Sequence, residues 1–128
     1  MSIVWHIDGA PTIKSKALDI WLITAFIVEL PIVIRYALKN ILFCGIWYGP
    51  KKPDFQLFQL HFVKEIKRLR NQGIQIQYKN QALQFYLRVE SSLADLPARA
   101  ASLNMKQFNG KFGCPVCYHP GVKLHEGK

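Results

Sequence analysis

Apolar residues dominate three runs near the N-terminus before any amphipathic pattern begins. Ser2 to Ile7 carries β-branched Ile3, Val4 and Ile7 with Trp5, and it stops at the turn formers Asp8-Gly9-Ala10-Pro11. This reads as a strand that ends on an acid. Leu18 to Leu30 is rich in Ile, Val, Thr, Trp and Phe and closes at Pro31, which predicts a long strand buried on both faces. Ile41 to Tyr48 is similar and is stopped by Gly49-Pro50-Lys51-Lys52-Pro53. Only a short connection, 32–40, separates the last two, so the three strands predict an antiparallel meander.

The period then changes. Phe55, Phe58, Phe62, Ile66 and Leu69 recur at spacings of three and four behind Asp54, whose carboxylate suits the free N–H groups of a first helical turn. One face of this helix is core, and Lys64, Lys67, Arg68 and Arg70 are left for the other. Gly73 supplies the stop. Alternation follows at Ile74, Ile76 and Tyr78, then at Leu83, Phe85, Leu87 and Val89, split by Lys79-Asn80; this predicts a hairpin or a bulged long strand. After Asp95-Leu96-Pro97, the run from Ala98 to Met105 predicts a second helix with Pro97 in its first turn. From Asn109 to Gly121 the chain is turn-rich and needs something other than a core to order it.

The 128 residues make one domain at most, and 12% aromatic content argues against disorder. A formal net charge of +9 suits a polyanion, either nucleic acid or an acidic membrane surface. A membrane span is not expected: Glu29, Pro31 and Arg35 interrupt the longest apolar stretch, although a small membrane-associated protein using Leu18 to Tyr48 stays open as an alternative. The first residues, MSIVWHIDGA, carry no pattern for export or organelle import. Three cysteines, two of them as Cys114-Pro115-Val116-Cys117, favour a metal over a disulfide framework and a reducing compartment.

Element order sharpens the reading of the acids. A helical crossover after a meander brings a later strand beside the first and parallel to it. Asp8 and Asp95 each sit where such a strand is expected to end. Adjacent parallel strands lie about 4.8 Å apart, so carboxylates at their ends could hold divalent cations roughly 4 Å from each other, an arrangement that suits phosphodiester chemistry. The plainer reading stands beside it: Asp8 is a turn acid before Gly9, and Asp95 caps a helix.

The wording around those acids is more specific. His6-Ile7-Asp8-Gly9-Ala10-Pro11, Val28-Glu29-Leu30-Pro31 with Arg35, Gly45-Ile46-Trp47 before Lys52-Pro53, Ala94-Asp95-Leu96-Pro97-Ala98-Arg99-Ala100, and Asn104 through Cys117 together resemble the transposase of CACTA-type (En/Spm-like) DNA transposons of animal genomes. The resemblance implies an RNase H-like member of the DDE superfamily, α/β in class. In that fold the first three strands form an antiparallel meander, a helix follows, and the fourth strand lies beside the first, with another helix after it. It implies a catalytic first acid at Asp8 and a second at Asp95, binding Mg²⁺ or Mn²⁺, with DNA as partner and the nucleus as location. Residues 1–113 would be a partial catalytic domain and 114–128 the start of a Cys-containing insertion. The superfamily's third acid has no match: Glu126 follows Cys117 too closely. The chain therefore reads as the front portion of a catalytic domain, inactive alone, or as a non-catalytic nucleic-acid- or protein-binding remnant.

Cys114 and Cys117 form half of a tetrahedral Zn²⁺ site, and His119 and His125 are the nearest candidates to add ligands. Free thiols in a loop and a thioredoxin-like redox pair are the alternatives. Cys44, in an apolar run, reads as a small buried hydrophobe, and Glu29 is expected to pair with Arg35. Lys64, Lys67, Arg68, Lys106 and Lys111 are the candidate phosphate contacts, with no base-reading motif among them.

Overall fold

A computed structural model describes residues 1–13 and 16–122. The elements in order are β1 (Ser2–Ile13), β2 (Lys16–Ile27), α1 (Ile32–Arg35), a 3₁₀ turn (Leu38–Asn40), β3 (Leu42–Gly49), α2 (Phe55–Gln72), β4 (Ile74–Tyr78), β5 (Gln81–Phe85), β6 (Arg88–Leu93) and α3 (Leu96–Ser102). The chain is mixed α/β. Its main sheet has four strands in the order β3-β2-β1-β6, and β4 and β5 form a separate two-stranded sheet. The chain divides into two compact units, Met1–Leu93 and Ala94–Lys128.

The first unit is built by the expected meander. β1 pairs antiparallel with β2, and β2 antiparallel with β3. β6 then lies beside β1 and parallel to it, with Ser2 opposite Arg88 and His6 opposite Leu93. The strand beside β1 thus begins only at Arg88, and the preceding alternation at 74–85 goes into the β4–β5 hairpin. Lys79 and Asn80 have φ of 47° and 61°. A two-residue hairpin loop needs both central residues in that left-handed region to match strand twist, and asparagine tolerates it well.

β1 does not end at Asp8. It runs on through Gly9, which pairs with Trp21, so the turn-forming letters here are strand. The pleat puts Ile3, Trp5, Ile7 and Gly9 on one face with Trp21, Ile23 and Ala25. That face is covered by α2: Trp21 meets Phe55 edge to face at 4.8 Å and Trp5 meets Phe62 at 5.2 Å between ring centroids. Ile7 and Ile23 are the largest fully buried side chains, each contributing about 1.5–3 kcal/mol by leaving water.

The opposite face corrects the expectation of two-sided burial. Leu22, Thr24 and Phe26 of β2 are half-buried, and Ile46, the partner of Leu22 on the edge strand β3, is exposed together with Phe43 and Tyr48. An unbroken apolar run cannot reveal on its own that one face is only partly covered. Cys44 is likewise open at this edge, not buried, although partial desolvation pushes its thiol up. Glu29 and Arg35 do not pair. Glu29 accepts from the Ser2 N–H at 2.6 Å, while Arg35 donates to the carbonyls of Val28 and Leu30 at 2.5 and 3.1 Å, turning the corner after β2. Glu29 is exposed, so it never needed a buried counter-charge. N–H groups of its own backbone and of Ser2 hold its carboxyl below the usual range.

α2 follows its sequence signals closely. Asp54 Oδ1 accepts from the N–H groups of Gln56 and Leu57 at 3.0 and 3.2 Å, and Gly73 takes φ 75° at the other end. Asp54→Ala is expected to lower stability by about 1 kcal/mol, and Asp54→Asn to recover most of it, in urea denaturation. A loss under 0.3 kcal/mol would show that the cap contributes nothing beyond packing.

No helix among the described residues is long and apolar enough to cross a membrane. In the second unit, α3 leads into turns held by backbone bonds from Gly110 to Gln107 and from Gly113 to Gly110.

Candidate functional site

Asp8 sits within β1, opposite Leu22 and two residues beyond His6, where the parallel pairing with β6 stops. Its side chain is exposed, on the same strand face as half-buried His6. Oδ1 of Asp8 accepts the Gly9 N–H at 2.8 Å. Asp95 is the N-cap of α3, and its Oδ1 accepts the Ala98 N–H at 2.7 Å. The capping role read as the plainer alternative is therefore real. A single capping bond still leaves the other oxygen of the carboxylate able to take a cation, because an ionised carboxylate has lone pairs on both.

Both acids offer the hard oxygen donors that Mg²⁺ takes. Among the described residues, however, no three His, Cys, Asp or Glu side chains come together in a group fit for a metal. The described residues do not by themselves complete a metal centre.

The cysteine segment fares similarly. Cys114 Sγ accepts from the Val116 N–H at 3.4 Å, and that bond, with those from the Cys117 backbone and side chain, lowers its thiol pKa. This turn favours the thiolate that a metal or an electrophile would meet. His119 turns its Nδ1 to the Gly121 N–H at 3.0 Å, which leaves Nε2 as its remaining ring nitrogen. It does not join the cysteines in a three-ligand cluster. His125 and Glu126 lie outside the described residues.

The cations of α2 divide. Arg68 is tied to Glu65 through a bidentate pair at 2.5 and 2.9 Å, which lowers the Glu65 pKa and raises that of Arg68 and removes this guanidinium from the free set. Lys64 and Lys67 are exposed. In the second unit, Lys106 is exposed and Lys111 lies 5.5 Å over the Phe112 ring. Arg70 and Arg88 join Lys67 along one groove of the first unit, a grouping that only the return of β6 to the sheet creates.

Comparison with models of known families, with curated proteins and with solved structures finds no match to this chain.

Proposed function

We propose that this chain is the front part of the catalytic domain of a DDE-type transposase. Its sheet is of the RNase H-like kind, and it acts on DNA phosphodiester bonds in the nucleus by two-metal hydrolysis and strand transfer once the rest of the domain is supplied. The observation that carries this reading is the sheet order β3-β2-β1-β6, with β6 parallel to β1 after a helix. In that register, His6 is paired with Leu93, and the two acids each follow by two residues along the chain. The arrangement agrees with the motif order that resembles CACTA-type transposases. Without a third acid the chain alone is expected to show no turnover.

Mn²⁺ binding tests the acids directly. Titration followed by water-proton relaxation should detect a weak Mn²⁺ site in the full chain, lost in Asp8→Asn and in Asp95→Asn, while Asp54→Asn leaves it intact. Asp95→Asn retains a cap, since asparagine caps as well as aspartate, so loss of Mn²⁺ would not reflect an unfolded helix. Unchanged binding in either variant, or none in the parent chain, rejects the paired-acid reading. The second reading, a non-catalytic binding remnant, is favoured by the cap that already occupies one oxygen of Asp95. It predicts nucleic-acid binding indifferent to metal.

A further inference from the structure

The two flanks of α2 are chemically opposite. One groove, of about 690 Å³, runs along the β3 side and includes Glu65, His61 and Cys44 among largely apolar residues. The other, of about 630 Å³, runs along the β6 side, and no carboxylate lines it. Its floor contains Trp5 and Phe62, and Lys67, Arg70 and Arg88 stand around it with Tyr86. Tyr86 is 57% exposed although its backbone is pinned by the Met1 amine, which donates to the Tyr86 carbonyl at 3.2 Å. A largely exposed tyrosine ring thus stands on an anchored main chain beside three cations.

Only Arg88 among those cations has a carboxylate partner within the described residues, Glu90 at 3.1 Å, and that pair is exposed and weak. A groove that combines an exposed aromatic face, apolar lining and cations, of which Lys67 and Arg70 have no carboxylate partner among the described residues, has the two elements a single-stranded nucleic acid requires. Its bases can stack on a ring, and its phosphates can sit against Lys and Arg. A duplex meets half of that need, because its bases are already stacked and paired, and an acidic polypeptide offers charge without flat rings. We propose that the groove between α2 and β6 binds single-stranded nucleic acid, with a base stacked on Tyr86 and the backbone along Lys67, Arg70 and Arg88. The site does not use Asp8 or Asp95 and stands whether or not those acids hold metal.

Fluorescence anisotropy of a labelled oligothymidylate of about 12 nucleotides, with the full chain in EDTA, tests it. EDTA removes divalent cations, so failure here is separate from failure of the Mn²⁺ experiment. Tyr86→Ala should weaken binding roughly 5- to 150-fold, and Tyr86→Phe should restore it. Lys67→Gln with Arg70→Gln should weaken binding and reduce the slope of log affinity against log salt by about 1.4, at roughly 0.7 per phosphate contact. The control pair Lys39→Gln with Lys79→Gln, outside the groove, should leave that slope nearly unchanged. The proposal is overturned by no binding in the parent chain, or by parent-like binding in Tyr86→Ala. It is equally overturned if the control pair matches the groove pair, if a duplex of the same length binds as well, or if polyglutamate competes as well at equal charge, which would point to an acidic protein. Should Tyr86→Ala lose its native circular dichroism, the Lys67 and Arg70 variant decides, since both side chains are on the exposed flank of α2.

Discussion

Phe62→Ala should destabilise the first unit by about 3–5 kcal/mol, a large fraction of the 5–15 kcal/mol that holds a typical domain together. Phe62 is 9% exposed, near the middle of α2, and its ring packs on Trp5 of the sheet. With Ile66 and Leu87 it lines the grooves on both flanks of the helix, so these three side chains stand between them. Truncation leaves a void that neither flank can fill without moving the helix. Urea denaturation followed by tryptophan fluorescence reads the effect, and the midpoint should fall with little change in slope. A loss below about 1 kcal/mol would mean that α2 is held by its ends and not by its centre. Phe62→Leu should recover part of the loss, because it refills most of the volume.

Gly9→Ala should also destabilise, by about 1–3 kcal/mol, and its sign is the informative part. In a strand, glycine is ordinarily worse than alanine by roughly 0.5–1 kcal/mol, so a glycine with open space above it would be improved by the change. Gly9 has no such space: a Cβ there would lie 2.4 Å from Cε2 of Trp21 and 2.6 Å from two further indole carbons. Trp21 cannot retreat, since its buried ring is backed by Phe55 at 4.8 Å, and its Nε1–H has no acceptor to lead it elsewhere. Overpacking therefore outweighs the gain in backbone entropy. Thermal unfolding of the variant decides the matter. A raised melting temperature would show that the Trp21 indole can move aside and that the strand gains more from alanine than it loses in packing.

These two positions show where sequence reading reached and where it stopped. Phe62 was legible as core, because the spacing of Phe55, Phe58, Phe62, Ile66 and Leu69 is local and repeats. Gly9 was misread as a turn residue, because what decides its role is Trp21, its neighbour only after β1 and β2 pair. Asp8 carries the same lesson: it lies inside a strand, although its letters read as a strand end. The charged candidates were half legible. Lys67 was found from the helix face, but Glu65 neutralises Arg68 from one turn away, while Arg88 and Tyr86 join the groove only through β6.

The chain's own letters determined the elements whose causes are short in range. Asp54 and Gly73 bound α2, Lys79-Asn80 turn the hairpin, Asp95 begins α3, and three apolar runs make a meander. Each depends on bonds or dihedrals among residues a few positions apart, which a linear pattern encodes fully. Tertiary structure alone decided that 74–85 leaves the main sheet and that Arg88–Leu93 enters it, that Gly9 lies under an indole, that Glu29 caps the Ser2 N–H instead of meeting Arg35, and that one flank of α2 is basic and aromatic. Those outcomes follow from strand pairing across most of the first unit, and the energy of such a pairing depends on which surfaces meet, which no single stretch of sequence contains.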